Sequence, residues 1–183
     1  MNHARSSPSI LVVNQRIFVV GGISTDQNPL ESIEMFEGEK WELCPSLPEA
    51  LMGVSSIGVT TERAFIVGGM AKDTNPRDSV RQITWTFNQE RPKWDNFPPM
   101  PTARYCVHLE YYHDTIFAVG GRSGKRPVSA VESLELKTNQ WTSWMNIPTP
   151  RVFSAISMAS GNLIITGGLG AATKRGFKKL VIA

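Results

Sequence analysis

Four times along this chain an apolar run ends in two adjacent glycines: "IFVVGG" at 17–22, "AFIVGG" at 64–69, "IFAVGG" at 116–121 and "LIITGG" at 163–168. Glycine weakens a strand, because it adds backbone entropy and no packing surface. One such pair would be a local oddity. The second glycines, however, lie 47, 52 and 47 residues apart. A period of this size means one supersecondary unit used repeatedly, each copy burying its faces against its neighbours.

The rest of the unit keeps step with the glycines. Ile33, Val80 and Val131 form one column, eleven, eleven and ten residues beyond the pair, and Phe36, Ile83 and Leu134 form a second column three residues later. Trp41, Trp94 and Trp141 follow, and six residues past each stands an aliphatic residue before proline, at Leu47-Pro48, Met100-Pro101 and Ile147-Pro148. Three residues after that proline come Leu51, Arg104 and Arg151. An apolar strand and a polar turn then lead to the next glycine pair, the turns being Asn14–Arg16, Thr60–Arg63, His113-Asp114 and Ser160–Asn162. Each turn reads as a hairpin connection.

Every unit therefore holds four short strands, which make a small antiparallel sheet. The strand before the glycines is apolar at consecutive positions, so it is buried on both faces. Sheets that cover one another on both faces around an axis make a propeller. In that geometry Gly21, Gly22, Gly68, Gly69, Gly120, Gly121, Gly167 and Gly168 sit where backbones crowd. Trp41, Trp94 and Trp141 fill the widening gaps between sheets, and the prolines end the last strands. Glu34 and Glu132 recur at one strand position, where unit two carries Arg81, so they read as structural.

The combination of "IFAVGG", "AVESLELKTNQW" and "IPTPR" resembles the kelch repeat, and within it the metazoan kelch-like group; the likeness runs from about Ile10 to Gly168. It implies an all-β kelch propeller. Three complete units and a fourth that stops after its glycines make about three and a half four-stranded blades, an incomplete ring. The expected organisation is a disordered N-terminal tail at 1–8, kelch repeats at 9–170, and a truncated blade with a basic tail at 171–183. The chain then reads as a fragment, as a partner for a second copy that closes the ring, or as an open array.

Composition narrows the function. With 19 Lys+Arg against 16 Asp+Glu and 41% apolar residues, the chain has a mild net charge of +3 and no basic excess that argues for nucleic acid or a membrane surface. There is no apolar leader and no run of the roughly 20 residues that span a bilayer. Two cysteines without C-x-x-C spacing imply neither disulfides nor zinc, so reduced thiols and a cytoplasmic, intracellular setting are expected. "GGRSGKRPVS" fails as a phosphate loop at Val119 and Arg126, and "TGGLGAAT" fails as a dinucleotide fingerprint at Thr173. His3, His108 and His113 offer no metal set. Neither cofactor nor metal is expected. Trp85 and Trp144 lie outside the tryptophan column, which leaves them open to exposure, and Trp144, three past Trp141 on an alternating strand, is expected to face the opposite side from it.

What the resemblance implies is protein binding. In kelch-like proteins the arginines at the start of a blade and the loops after the glycines line the partner face. Carried over, this points to Arg104 and Arg151 with loops 24–28, 72–77 and 122–126, and in them Asp26, Asn28, Lys72, Arg77, Arg122, Ser123, Lys125 and Arg126. Guanidinium groups suit carboxylates, so an acidic or phosphorylated peptide is the expected complement. The resemblance further implies a longer parent with BTB and BACK domains that recruits substrates to a cullin-type ubiquitin ligase, or alternatively binds actin. Neither domain is expected in this chain, whose first repeat starts within about ten residues of Met1. The rival class is a kelch-fold enzyme, such as a copper oxidase or sugar epimerase, which needs a converging metal or acid–base set.

Overall fold

The structure, a computed structural model, describes residues 1–73, 75–78, 80–84, 93–170 and 177–181, the strands at 80–84 and 177–181 by their backbone only. Trp85, Thr173, the Arg81 side chain and most of the expected basic tail lie outside the described residues. Four antiparallel sheets follow one another along the chain. Blade one is β1 (Ser9–Val13), β2 (Arg16–Val20), β3 (Ile33–Glu37) and β4 (Lys40–Cys44); blade two is β5 (Ser55–Thr60), β6 (Arg63–Val67), β7 (Val80–Thr84) and β8 (Lys93–Phe97). Blade three begins with β9 (His108–Tyr112) and β10 (Thr115–Val119), carries a small hairpin of β11 (Arg122–Ser123) and β12 (Arg126–Pro127), and ends with β13 (Val131–Glu135) and β14 (Gln140–Ser143). Blade four contains β15 (Arg151–Ala159), β16 (Asn162–Gly170) and β17 (Phe177–Val181). The sheets form an all-β propeller whose ring is not closed.

The turns between first and second strands explain the registers. Asn14–Gln15, His113–Asp114 and Ser160–Gly161 all have positive φ at both central positions. That is the type I′ geometry whose twist matches a two-residue hairpin. The columns read in the sequence are cross-strand pairs: Ile17 faces Phe36, Ala64 faces Ile83 and Ile116 faces Leu134.

Because cross-strand partners share a face, each blade has a front and a back. The front of blade one, with Leu11, Val13, Phe18, Val20, Ile33 and Met35, packs on Ala64, Ile66 and Trp94 from the back of blade two. The front of blade two, with Ile57, Phe65, Val67 and Phe97, packs on Leu109, Tyr111, Ile116, Ala118, Leu134 and Trp141 from the back of blade three. Val119, Val131 and Trp144 then meet Ile156, Met158, Leu163 and Ile165 of blade four. Trp94 and Trp141 thus fill the gap to the preceding blade, and the Trp141 indole donates to the Pro98 carbonyl at 2.9 Å. Trp144 faces the opposite side from Trp141, as its spacing predicts, and there it is covered. It is half-buried, donates to Ser133 Oγ at 2.8 Å and lies 6.4 Å from the Phe117 ring, because its offset from Trp141 turns it toward the next blade.

The glycine pairs mark where one blade hands over to the next. An added Cβ on Gly21, Gly68 or Gly120 would stand 2.5, 2.3 or 2.7 Å from the backbone oxygen of Leu51, Arg104 or Arg151, the residue that leads into the following blade. The amide of the second glycine donates to that same oxygen, at 3.1 Å from Gly22, 3.2 Å from Gly69 and 3.1 Å from Gly121. A side chain has no room there, and φ near +60° favours glycine as well. Gly167 shares the φ but has nothing within 4 Å of its Cβ position.

Candidate partner-binding site

Arginine at the start of a blade looks exposed in sequence, but the structure folds it inward. Arg104 is 0% exposed. Its guanidinium pairs with Glu132 at 3.0 Å and donates to the Ala118 carbonyl at 2.9 Å. Thr102 Oγ1 donates to the other Glu132 oxygen at 2.5 Å. Burial pushes the Arg104 pKa down, and the Glu132 carboxylate opposes it. Arg151 is also buried and donates to the Gly167 carbonyl at 2.5 Å. Both arginines hold carbonyls of their own blade and are not presented at the partner surface expected for them.

Blade one has the same device, which the proline-based alignment missed. Arg5 pairs with buried Glu34 at 2.6 Å and donates to the carbonyls of Gly21 and Ser32. The amides of Asn2 and His3 also donate to Glu34. Burial alone would raise the Glu34 pKa, but these amides and Arg5 hold it below the usual carboxylate range. Residues 1–8, expected as a disordered tail, are therefore bound along blade one, with Ser6 bridged to Ile23. The signal was present in the spacing. Arg5, Arg104 and Arg151 each precede the first glycine of a pair by sixteen residues. Blade two has lost both partners together: Leu51 leads into it, and Arg81 occupies the register position of the glutamate, opposite Ile66.

The loops after the glycines share one frame. Each returns to its own blade through a bridge (Ser6 to Ile23, Met52 to Met70, Tyr105 to Arg122) and closes on a proline, at Pro29, Pro76 or Pro127. Their tips differ. In the first, Asn28 accepts and donates across a turn with Ser24, and Asp26 is exposed. In the second, Lys72 is exposed, whereas Arg77 is held by Glu49 at 2.5 Å and Asp73 at 3.2 Å, so its charge is neutralised. The third, Arg122–Pro127, is the most basic. Arg122 Nη2 donates to the Lys125 carbonyl at 3.1 Å, while Ser123, Lys125 and Arg126 are exposed. The side chains of Lys125 and Arg126 have no hydrogen bond or ion pair among the described residues.

This hairpin stands beside a cavity of about 480 Å³ lined by the leading segments of all four blades, among them Ser7, Met52, Tyr105, Cys106 and Phe153. Tyr105 joins the two features, lining the cavity while its hydroxyl donates to the Gly124 carbonyl at 2.7 Å. Ser7, Gly53, Cys106 and Phe153 occupy equivalent positions, and each has φ between 50° and 61°. The repeated kink turns the chain at the rim. Cys106 is a half-buried thiol whose pKa burial raises. His108 faces the next blade: its Nε2 accepts from the Ser154 amide at 3.1 Å, and burial lowers its pKa to about 4. No three His, Cys, Asp or Glu side chains among the described residues are grouped to hold a metal ion.

Comparison with known proteins adds the family. The chain is 27% identical over 172 residues to human Kelch-like protein 34, covering 92% of this chain and 26% of that protein. It is 26% identical over 177 residues to Beta-scruin of Limulus polyphemus, covering 92% of this chain and 19% of that protein. The chain thus spans about a quarter and a fifth of these relatives. A solved structure of YjhT superposes with a TM-score of 0.81 at 13% identity, over all of this chain and 68% of that one, which shows the fold. The Kelch motif itself matches residues 4–48 and 103–143. Those two segments begin beside Arg5 and Arg104 and run past Glu34 and Glu132, so the motif falls on the two blades that hold the buried arginine–glutamate pair. The motif matches, these relatives and the fold together support a kelch-repeat protein.

Proposed function

We propose that the chain is a protein-interaction module that takes an acidic segment of a partner on the Arg122–Pro127 hairpin, beside the axial cavity. One observation carries this reading: the side chains of Lys125 and Arg126 are exposed cations with no partner among the described residues, on a hairpin fixed to the cavity by Tyr105. Preorganised cations bind carboxylate or phosphate at less ordering cost than cations on a loose loop. Lys72 adds charge on the neighbouring loop, and Asp26 and Asn28 supply the polar rim on the far side. Arg77 contributes through the shape of its loop, since its charge is satisfied internally.

The resemblance to kelch-like proteins supports substrate recognition for a cullin-type ubiquitin ligase within a longer parent, with actin binding as the second reading. Binding is favoured over catalysis because the cavity's histidine, His108, serves the seam to blade four, and its tyrosine, Tyr105, is committed to the hairpin. The half-buried free thiols fit a reducing, cytoplasmic setting.

The test uses immobilised acidic, phosphorylated, neutral and basic peptides, with binding followed at low and raised salt. Acidic and phosphorylated peptides are expected to bind, to weaken as salt rises, and to lose affinity in a K125A/R126A variant. Equal binding by that variant would refute the reading. Co-sedimentation with actin separates the two partner classes.

A further inference from the structure

The cavity and the hairpin beside it differ in kind. The cavity wall is built by leading segments and loops from all four blades, and not by the outward sheet face of the first or the last. Ile23, Met52, Val54, Tyr105, Val107 and Phe153 make its apolar part, and no aspartate, glutamate, lysine or arginine lines it. Much of the polar structure around it is already engaged. The amides of Ile23, Met52, Tyr105 and Cys106 donate to the carbonyls of Ser6, Met70, Arg122 and Gly53 at between 2.7 and 3.0 Å. Tyr105 turns its hydroxyl to the Gly124 carbonyl, and His108 Nε2 is taken by the Ser154 amide. Such a wall favours an apolar occupant, because a polar or charged group buried against it is left short of partners.

The kinks that shape the wall carry a second signal. At the equivalent position blades one, two and three place the small residues Ser7, Gly53 and Cys106, whereas blade four places Phe153, at a φ of 55°. A bulky side chain adopts that backbone conformation only at a cost, and strain of this kind collects where a site needs the side chain. An added Cβ at Gly53 would lie 3.0 Å from both Cys106 Sγ and Tyr105 Cδ2, so the blade-two side of the wall is already tight. The cavity is preformed, and its volume of about 480 Å³ lies within the roughly 300–1,000 Å³ of sites that enclose a small apolar group.

We infer that the cavity takes one large apolar side chain, aliphatic or aromatic, from the same partner segment whose acidic groups meet Lys125 and Arg126, which rests on the hairpin as the binding site proposed above. The two features are continuous, since Tyr105 both lines the cavity and bonds the hairpin. Their charge is complementary to a segment with two parts: exposed cations stand on the hairpin, and the cavity wall has none. A uniformly acidic segment would press charge against the apolar wall, whereas an acidic segment with an apolar anchor satisfies both features. An apolar centre edged with aromatic side chains, beside a charged rim, is the arrangement in which one buried anchor carries much of the affinity.

Fluorescence polarisation with the full chain tests this, using labelled peptides in which a run of glutamates is joined through serine spacers of varied length to leucine, phenylalanine or alanine. At the spacer that fits, the leucine or phenylalanine peptide is expected to bind at least about tenfold more tightly than its alanine counterpart. K125A/R126A is expected to weaken all of these peptides while keeping that ratio. Phe153→Ser puts the blade-one residue at the blade-four kink, and Met52→Glu sets a carboxylate in the wall. Each is expected to bring the ratio close to one, with far-UV circular dichroism matching the parent. A ratio near one in the parent at every spacer would overturn the inference and leave the hairpin reading standing. So would a ratio that survives both Phe153→Ser and Met52→Glu, since the apolar residue would then bind elsewhere. The hairpin reading fails by a different sign, K125A/R126A binding the alanine peptides as tightly as the parent does. No binding by any of the peptides would overturn both.

Discussion

Arg104 and Arg126 lie on the same blade and have opposite circumstances. The first is sealed against a carboxylate and a strand carbonyl. The second stands exposed on a hairpin, its side chain without a partner among the described residues. The buried arginine belongs to a repeated device, with Arg5 and Arg151 at the same sixteen-residue spacing from a glycine pair. The exposed one belongs to a tip that occurs once. Repetition marks what holds the blades, and departure from it inside a common frame marks where a partner can be distinguished.

The largest effect should come from breaking the buried pair. Arg104→Leu leaves Glu132 buried beside strand carbonyls without its cation, and the expected cost is about 3–5 kcal/mol, read as a lowered urea midpoint. Arg104→Leu with Glu132→Leu should recover most of that loss. Blade two has made a comparable joint change at Leu51 and Arg81, which is why the double replacement is expected to fold. Recovery of nothing would show that the guanidinium bonds to carbonyls matter more than the pair.

Next is the hand-over between blades. Gly68→Ala combines a disfavoured φ with a carbonyl 2.3 Å from the new Cβ, and about 3 kcal/mol is expected. Gly167→Ala meets only the φ, so about 1 kcal/mol is expected. Equal costs in chemical denaturation would mean that close approach is not what selects glycine.

His108 sharpens the comparison in another way, since it is a titratable group given over to a seam. Its folded pKa of about 4 lies below the ordinary 6.5, so the folded chain keeps it neutral while the unfolded chain takes up a proton. Stability is unaffected by this group above pH 6.5 and falls as pH drops toward 4, by up to about 3 kcal/mol. His108→Gln, which can still accept from the Ser154 amide, should flatten that part of the pH profile. An unchanged slope would assign it to carboxylates such as Glu34 instead.

How much of this was legible beforehand follows from the range of each interaction. The glycine period, the paired columns and the turns at Asn14–Gln15 and His113–Asp114 depend on local backbone chemistry, and all could be read directly. The inward course of Arg104 could not be read the same way, because its acceptors lie fourteen and twenty-eight residues downstream. Arg5 was missed for a related reason. Arg104 and Arg151 follow a proline by three residues and Arg5 does not, whereas the glycines that follow set the same spacing for all three. The side that Trp144 faces was legible from its spacing to Trp141, but its burial was not, because blade four supplies the surface that covers it. Loop charge was legible only as a total, since the Glu49 partner of Arg77 comes from the segment leading into blade two.

The smallest structural effect belongs to the site itself, and it tests the central claim most directly. K125A/R126A should melt within about 2 °C of the parent, because exposed charges contribute little to stability. In the same preparation its affinity for acidic peptides should fall at least about tenfold, with a weaker dependence on salt. A variant that keeps both its melting temperature and its affinity would contradict the account, and would move partner recognition away from the Arg122–Pro127 hairpin.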